Sequence, residues 1–319
     1  MGPDVHISWS FDANEGAAIA AAFRVGERLE GKWDWRRTLV RWVMRLLCVP
    51  MDVSAGVIRY GLKSKIDTLQ PRRVYIHWIG HEMLRYEELE CLRGIPVTIV
   101  LHDFSLFEKP PYRKETWFDR WRLKRIHKVL SALELDFEAP SEWAGRHIKE
   151  LWPNARVAVK PTPVRESFCR CVAKHGSSSD GRFKLLFGCQ GGRVNPYKGF
   201  SELEEALKML PCEVKSKLEL HIFGESAEEC LTSGVHTVFH GEIGDDEVLA
   251  RLYRGCDAFA FPSLSETQGL VKDEAIACGL KVIVFNRTAC PEGVCHLENG
   301  FVAENVAGFA KGIEWAMSK

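Results

Sequence analysis

The segment Phe261–Phe285 (FPSLSETQGLVKDEAIACGLKVIVF) carries two glutamates in a frame that suits a phosphorylated ligand with hydroxyl groups. Its pattern predicts a strand, a loop that carries Glu266, and a helix in which Glu274 lies about one turn from the start. Carboxylates placed in this way can accept hydrogen bonds from vicinal hydroxyls on two parts of one ligand. The backbone N–H groups that would face a phosphate at the start of this helix are those of Gly269, Leu270 and Val271.

Apolar strands alternate with helices through the second half of the chain, and this alternation would position the two glutamates. The predicted strands are Lys184–Gly188, Leu218–Gly224, Thr237–His240, Ala258–Pro262 and Lys281–Phe285. The predicted helices cover about Phe200–Leu210, Asp245–Cys256 and Leu270–Gly279. Strands that are apolar nearly throughout, separated by helices of this length, indicate a doubly wound, Rossmann-like α/β domain. In such a sheet the ligand crevice lies beyond the carboxyl ends of the strands.

The first half of the chain has a looser version of the same α/β pattern. Its predicted strands are Val5–Trp9, Val74–Trp78, Val97–Leu101 and Leu135–Glu138, and its predicted helices are Ala17–Glu30 and a helix capped by Ser141 that runs to about Leu151. The Pro161-Thr162-Pro163 sequence is typical of a linker. We therefore expect two domains, residues 1–162 and 163–319.

Composition narrows the function classes. The 319 residues carry 43 Lys and Arg against 43 Asp and Glu, and this zero net charge argues against a general nucleic-acid binder. No apolar run is long enough for a spanning helix, and the start of the sequence does not match a secretory leader, so a cytoplasmic protein is expected. The eleven cysteines contain no CxxC pair, and those in apolar stretches (Cys189, Cys256 and Cys278) are interpreted as reduced core residues.

The frame around Glu266 and Glu274 resembles glycosyltransferase family 4, the group 1 retaining nucleotide-sugar transferases of GT-B fold. Further stretches that resemble the family, in its branch of bacterial cell-surface polysaccharide transferases, are His77–Asp103, Glu138–Trp143 (EAPSEW), Gly191–Phe200 (GGRVNPYKGF) and Pro291–Val302 (PEGVCHLENGFV). The resemblance implies two Rossmann-like domains that face each other across a cleft. Residues 1–162 would bind the acceptor and residues 163–319 the donor.

The resemblance also implies roles for residues of the donor domain. Glu274 would hold the ribose hydroxyls of the donor, and Glu266 would contact the transferred sugar. Arg193 and Lys198 would neutralise the diphosphate, where fixed cations stabilise the charge that develops on the leaving group. Outside the family frame, Lys198 beside Gly199 would be interpreted as a surface residue at a helix start.

In the first domain, His102 matches the active-site histidine that the family places near the donor sugar. Without the resemblance, a half-buried structural histidine at a strand end would be preferred. Gly16 would let the backbone approach the phosphate or the acceptor. Two residues depart from the family pattern: Glu15 stands where a second glycine is usual, and Gln268 stands where phenylalanine is frequent.

The expected reaction is therefore transfer of a sugar from a nucleoside-diphosphate donor to a hydroxyl of a glycan or lipid-linked acceptor, with retention at the anomeric carbon. The family implies that no metal ion or other cofactor is needed. Two alternatives stay open at this point. One is a non-catalytic nucleotide-sugar-binding subunit or degenerate paralogue, which Glu15 and a length short for a GT-B enzyme suggest. The other is a nucleotide-sugar epimerase of the same fold.

The stretch Lys32–Leu47 (KWDWRRTLVRWVMRLL) is basic and amphipathic if it is helical. Such a helix would suit an anionic membrane surface, so that the protein would be peripheral at the inner face of the membrane. A second basic cluster, Arg120–Lys128, lies in the same domain. An ordinary packed surface helix is the equal alternative for the first stretch.

Overall fold

The computed structural model describes residues 3–9, 27–31, 39–40, 43–44, 54–77, 79, 84–110, 113–169, 181–188, 195–224 and 232–318. The chain forms two compact units, Met1–Pro161 and Thr162–Lys319. The division lies one residue before the boundary that the sequence predicts.

The first unit is built on a six-stranded parallel sheet with strand order β2-β1-β3-β4-β5-β6. Its strands are β1 (Asp4–Trp9), β2 (Glu27–Gly31), β3 (Arg73–Ile76), β4 (Val97–Val100), β5 (Leu135–Ala139) and β6 (Arg156–Val159). Among its described residues, the helices include α1 (Leu62–Leu69), α2 (Trp117–Leu130) and α3 (Glu142–Leu151), and a 3-10 segment covers Tyr86–Leu92. The side chains of β4 are all buried, as expected for a parallel strand with both faces covered.

The structure corrects the end of the predicted helix Ala17–Glu30. Residues 17–26 lie outside the described residues, but Glu27–Gly31 form strand β2 and not helix. They pair in parallel with β1, from Val5 opposite Glu27 to Trp9 opposite Gly31. Hydrogen bonding to a neighbouring strand overrides the helix propensity of Glu, Arg and Leu, which is only a weak local preference.

The second unit also has a six-stranded parallel sheet, with order β12-β11-β10-β7-β8-β9. Its strands are β7 (Phe183–Gly188), β8 (Leu218–Phe223), β9 (His236–Phe239), β10 (Ala258–Phe261), β11 (Lys281–Phe285) and β12 (Gly300–Ala303). Its helices are α4 (Glu166–Cys169), α5 (Phe200–Met209), α6 (Cys212–Lys215), α7 (Asp246–Arg254), α8 (Leu270–Ala277) and α9 (Val306–Met317). Across the residues that can be described, no helix combines the length and apolar character needed to cross a bilayer.

Alternate residues of the central strand β7 face two separate apolar clusters, one on each side of the sheet. Leu185 packs with residues of α5 and α9. Leu186 packs with residues of α4, α7 and α8. The sheet is therefore covered by helices on both faces, which is the doubly wound arrangement that the alternating strands and helices predict.

The three predicted core cysteines have different outcomes in the structure. Cys256 is buried, and burial raises the pKa of its thiol to about 12. Cys278 is half-buried and free, whereas Cys189 lies outside the described residues. At neutral pH a thiol with the pKa of Cys256 stays protonated and behaves as a small apolar side chain.

Helix α2 begins with a buried carboxylate that two residues satisfy together. The Asp119 side chain is fully buried and accepts hydrogen bonds from Arg113 at 2.6 and 2.9 Å. It also accepts from the backbone N–H of Thr116 at 2.8 Å, while Thr116 caps the helix by accepting from Asp119 N–H. Burial by itself would raise the pKa of Asp119, but the hydrogen bonds from Arg113 and Thr116 outweigh it and hold that pKa well below its ordinary value.

We expect Asp119→Asn to lower the free energy of unfolding at pH 7 by about 3–5 kcal/mol, because it leaves Arg113 without its buried partner. The folded-state pKa is depressed, so the wild-type advantage is complete above the unfolded pKa of about 3.9 and declines as pH falls through the folded value. Urea unfolding of both proteins at several pH values measures it. Glu115→Gln is the control, since its pair with Arg120 is exposed and is worth less than about 1 kcal/mol; equal losses in the two variants would contradict the assignment.

Candidate functional site: the carboxyl end of the second sheet

The order of strands indicates a candidate ligand site in the second unit. From β7 the chain adds β8 and β9 on one side of the sheet, then returns to add β10, β11 and β12 on the other side. The direction of winding therefore reverses between β7 and β10, which pair in parallel. In open α/β sheets the crevice at such a reversal, beyond the carboxyl ends of the two strands, is where ligands bind.

Lys198 lies at this crevice in a short turn that two hydrogen bonds hold in place. The turn covers Pro196–Lys198, and the Asn195 side chain accepts a hydrogen bond from Tyr197 N–H at 3.1 Å. The Tyr197 carbonyl accepts from the backbone N–H of Leu264, in the loop after β10, at 2.8 Å. The loops that follow β7 and β10 are thus held together by a backbone hydrogen bond.

Glu266 lies in the loop after β10 and forms an ion pair with Lys198. Lys198 Nζ lies 2.7 Å from Glu266 Oε1, and both side chains are largely buried. The backbone N–H of Glu266 donates to Thr288 Oγ1 at 2.9 Å, and its carbonyl accepts from Ala289 N–H at 3.3 Å. The loop after β11 therefore fixes the backbone of Glu266, and three strand ends cooperate to position one carboxylate.

Helix α8 begins at Gly269, as the sequence predicts. Gly269 has φ +90°, in the left-handed region that favours glycine, and a Cβ there would lie 2.9 Å from the ring of Phe261. The first turn of a helix leaves backbone N–H groups without intrahelical partners. Leu270 and Val271 supply two of them, so this end of α8 can accept an anion.

Glu274 is the most deeply buried carboxylate of the site, with 4% of its surface exposed. Its Oε1 accepts two hydrogen bonds from Arg165, at 3.1 Å from Nε and 2.7 Å from Nη2. Its Oε2 is buried and has no hydrogen-bond partner. Burial raises the pKa of Glu274, and the nearby Arg165 opposes that rise only in part.

Two residues of this site, Arg165 and Lys272, escaped the sequence reasoning, and the sequence marks Gln268 only as a departure from the family pattern. Arg165 and Gln268 act through contacts with residues more than a hundred positions away. Lys272 is 1% exposed, donates to the Glu292 carbonyl, and lies 3.0 Å from Asp273 Oδ1. The one signal for Lys272 in the sequence is its place in the first turn of α8, where a surface position is equally compatible with the pattern.

His102 belongs to the first unit, where it follows β4 and ends a row of three histidines. His77 Nδ1 lies 3.4 Å from His102 Nε2, and His77 Nε2 lies 2.9 Å from His6 Nδ1. His6 and His77 are buried, and His6 stacks on Tyr75 with ring centroids 4.7 Å apart. Desolvation lowers the pKa of His102 below its ordinary value, against an opposing effect of Asp103.

The structure brings the predicted donor-site residues of the second unit to one edge of one sheet: Lys198, Glu266, Gly269, Leu270, Val271 and Glu274. His102 lies at the carboxyl end of a strand in the other unit. Arg193, Gly16 and Glu15 lie outside the described residues, so their predicted roles stay predictions.

Comparison with known proteins identifies the second unit. Residues 184–319 match the model of the family described as Glycosyl transferases group 1. This part of the chain is a group 1 glycosyl transferase domain. Its predicted ligand residues, from Lys198 to Glu274, all fall within the matched range.

A curated relative of this chain is a serotype-specific mannosyltransferase, WbdA, from Escherichia coli. The two are 29% identical over 181 residues, which cover 52% of this chain and 22% of that relative. The chain thus spans about a fifth of the length of the curated relative that it matches.

Solved structures share the fold over nearly the whole chain. WaaG, described as a glycosyltransferase involved in lipopolysaccharide biosynthesis, superposes with a TM-score of 0.68 at 14% identity, covering 99% of this chain and 90% of that one. HepE from Anabaena, solved with UDP and glucose, gives 0.65 at 17% identity, covering 100% and 90%. The chain therefore has the GT-B fold that the sequence resemblance implies.

Gly199, which follows Lys198, tests how tightly the site loops are packed. Its φ is +65°, and a Cβ would lie 2.0 Å from the carbonyl oxygen of Pro262. We expect Gly199→Ala to lose about 1–2 kcal/mol for the left-handed backbone and about 1–3 kcal/mol more for the clash. Gly241→Ala is a matched control, since Gly241 has φ +67° with nothing within 4 Å of its Cβ position. Urea unfolding of both variants measures the difference, and equal losses would contradict the close packing.

Proposed function

We propose that the chain is a retaining glycosyltransferase that moves a sugar from a nucleoside-diphosphate donor to a hydroxyl acceptor. The observation that carries the proposal is the unpartnered, buried Oε2 of Glu274, at the strand reversal of a group 1 glycosyl transferase domain. A buried carboxylate oxygen without a donor is costly. Hydroxyl groups of a bound ligand would satisfy it.

The remaining residues of the site suit the other parts of such a donor. Lys198, with Arg193, would neutralise the diphosphate, and the start of α8 would add backbone N–H groups. Glu266 lies beside Lys198 and would contact the transferred sugar. The HepE structure with UDP and glucose supports a nucleoside diphosphate and a sugar as the ligand classes.

In the proposed reaction the bond between the anomeric carbon and the diphosphate oxygen breaks. The acceptor oxygen bonds to the same face of that carbon, and the acceptor proton passes to the leaving phosphate. Fixed cations and helix N–H groups stabilise the charge that develops on this phosphate. The proposal requires no metal ion and no other cofactor.

For the acceptor we propose a glycan or a lipid-linked intermediate of a bacterial cell-surface polysaccharide. The names of WbdA, a serotype-specific mannosyltransferase, and of WaaG, which acts in lipopolysaccharide biosynthesis, support this class. Both names describe transferases, so the non-catalytic alternative is not favoured. His102, at a strand end of the first unit, is proposed as the active-site histidine near the donor sugar.

Titration of UDP, GDP and ADP into the wild type and Glu274→Gln tests the donor site. We expect one nucleotide to bind the wild type and to bind the variant roughly 10- to 150-fold more weakly, since hydrogen bonds to a charged group are worth about 1.5–3 kcal/mol. Glu213→Gln is the control, because Glu213 is an exposed carboxylate of the same domain outside the segments that resemble the family. Binding of none of the three nucleotides to the wild type would contradict the proposal.

Turnover distinguishes transfer from epimerisation. With the nucleotide sugar of the base that binds, a transferase releases nucleoside diphosphate in proportion to a hydroxyl acceptor and joins the sugar to it. An epimerase of this fold would release nucleotide and altered sugar without an acceptor. Product that forms at the same rate with and without acceptor would therefore overturn the transferase assignment.

We further propose that the first unit attaches to an anionic membrane surface at the cytoplasmic side. Helix α2 exposes a stripe formed by Trp117, Arg120, Trp121, Lys124 and Lys128, here called the Trp–Lys stripe. Tryptophan together with cations on one helix face suits a lipid headgroup region.

The predicted membrane stretch Lys32–Leu47 lies mostly outside the described residues, but four of its residues support the same attachment. Val40 and Met44 pack against Phe118 of α2 and Ala55. Leu39 and Val43 are exposed, by 50% and 41%. This apolar surface adjoins the helix that carries the Trp–Lys stripe.

Vesicle binding tests the attachment. We expect the wild type to bind phosphatidylcholine vesicles that contain phosphatidylglycerol, and Arg120→Gln/Lys124→Gln/Lys128→Gln to bind roughly 100-fold more weakly, at about 1 kcal/mol per cation. Trp117→Ser should also weaken binding. Met209→Ser, at an exposed apolar residue of the second unit, should leave it unchanged. Equal binding to vesicles with and without the anionic lipid would contradict the electrostatic part.

A further inference from the structure

Arg165 connects two carboxylates of the second unit with the segment that enters it. Its guanidinium donates twice to Glu274 Oε1, at 3.1 and 2.7 Å, and also donates to Asp246 Oδ1 at the start of α7. The same guanidinium lies over the ring of Phe168, 4.8 Å from its centroid. Arg165 is therefore held from three sides, by α7, by α8 and by α4.

A second attachment fixes the segment that carries Arg165. Gln268, directly before α8, accepts from Thr162 N–H at 3.0 Å and donates to the Thr162 carbonyl at 2.9 Å. Its amide nitrogen also lies 3.0 Å from Asp273 Oδ2. The Gln268 side chain thus hydrogen-bonds both backbone groups of Thr162, as a neighbouring strand would. These bonds attach the start of the second unit to the loop before α8.

The two oxygens of Glu274 are used unequally. Both hydrogen bonds from Arg165 go to Oε1, and Oε2 is buried with no partner. The other ionisable groups near this carboxylate are Asp246, Asp273 and the thiol of Cys278. The two aspartates carry the same charge as Glu274 and disfavour its ionised form, so Arg165 is the cation in contact with it that favours that form.

We propose that Arg165 is a positioning residue of the donor site, which holds Glu274 by one oxygen and leaves the other to accept from the ribose hydroxyls of the donor. The inference rests on the proposed function and adds to it a residue from outside the site helix. Arg165 contacts the carboxylate and not the ligand. Asp246 holds the far end of the guanidinium and so contributes to the same orientation.

The first test compares Arg165→Met and Arg165→Lys with the wild type by titration of UDP, GDP and ADP. Arg165→Met should weaken binding about 10-fold or more, because Glu274 loses its charge-assisted partner. Arg165→Lys should recover part of that loss, since it restores the charge but not the two-point contact. Arg251→Met, at an exposed arginine of α7, is the control and should bind as the wild type does.

The pH at which nucleotide affinity declines is a second measurement, and a mere loss of packing would not change it. Burial raises the pKa of Glu274, and Arg165 lowers it. In Arg165→Met the pKa of Glu274 should rise further, so protonation of the carboxylate, and with it the loss of affinity, should begin at a higher pH than in the wild type. Added ethylguanidinium should restore binding to Arg165→Ala and leave the wild type unchanged.

A double-mutant cycle decides whether Arg165 acts through Glu274. In the Glu274→Gln background, Arg165→Met should change the affinity by less than about two-fold, because the group it positions is already altered. Equal losses in both backgrounds, or an Arg165→Met variant that binds as tightly as the wild type with the same pH profile, would overturn the inference. Failure of the wild type to bind any of the three nucleotides would instead overturn the proposed function, and thermal unfolding of each variant shows that it is folded.

Discussion

Parallel pairing of β7 with β10 is the constraint on which the rest of the proposed donor site depends. Ala258 and Phe259 of β10 lie opposite Leu185 and Leu186 of β7, so two strand ends far apart in sequence open onto the same crevice. The backbone bond from Leu264 to Tyr197 then joins their loops. With these loops held together, Lys198 and Glu266 form an ion pair at 2.7 Å, and α8 begins where its first N–H groups can face a ligand.

The partners of buried carboxylates also shape this fold. A buried carboxylate costs several kcal/mol unless cations and hydrogen bonds surround it. Two buried carboxylates of this chain differ in how many such partners they have. Asp119 is satisfied on both oxygens by Arg113 and Thr116, which suits a structural role at the start of a helix. Glu274 is satisfied on one oxygen alone. The two residues thus differ in how completely their buried carboxylates are satisfied, and the incomplete set is the one at the proposed ligand site.

The sequence predicts those features that local patterns encode. Strand β11 begins and ends where its apolar run KVIVF does, and Ser141 and Gly269 stand at the helix starts that their residue types favour. The prediction failed at Glu27–Gly31, where pairing with β1 decides the structure and local propensity favours a helix. The contacts of Arg165 and Gln268 were not predicted, for a related reason. Their partners lie more than a hundred residues away, and no local pattern records a contact that only the folded sheet creates.

The row formed by His6, His77 and His102 has a consequence for the first unit. A neutral imidazole has one nitrogen that donates and one that accepts, and both nitrogens of His77 face another histidine. If His77 donates to His6, it must accept from His102; if it accepts from His6, it must donate to His102. While the rings are neutral, the two hydrogen bonds therefore run in the same direction, and reversal of one requires reversal of the other. The tautomer of His102 at the strand end is thereby linked to that of a ring buried two strands away.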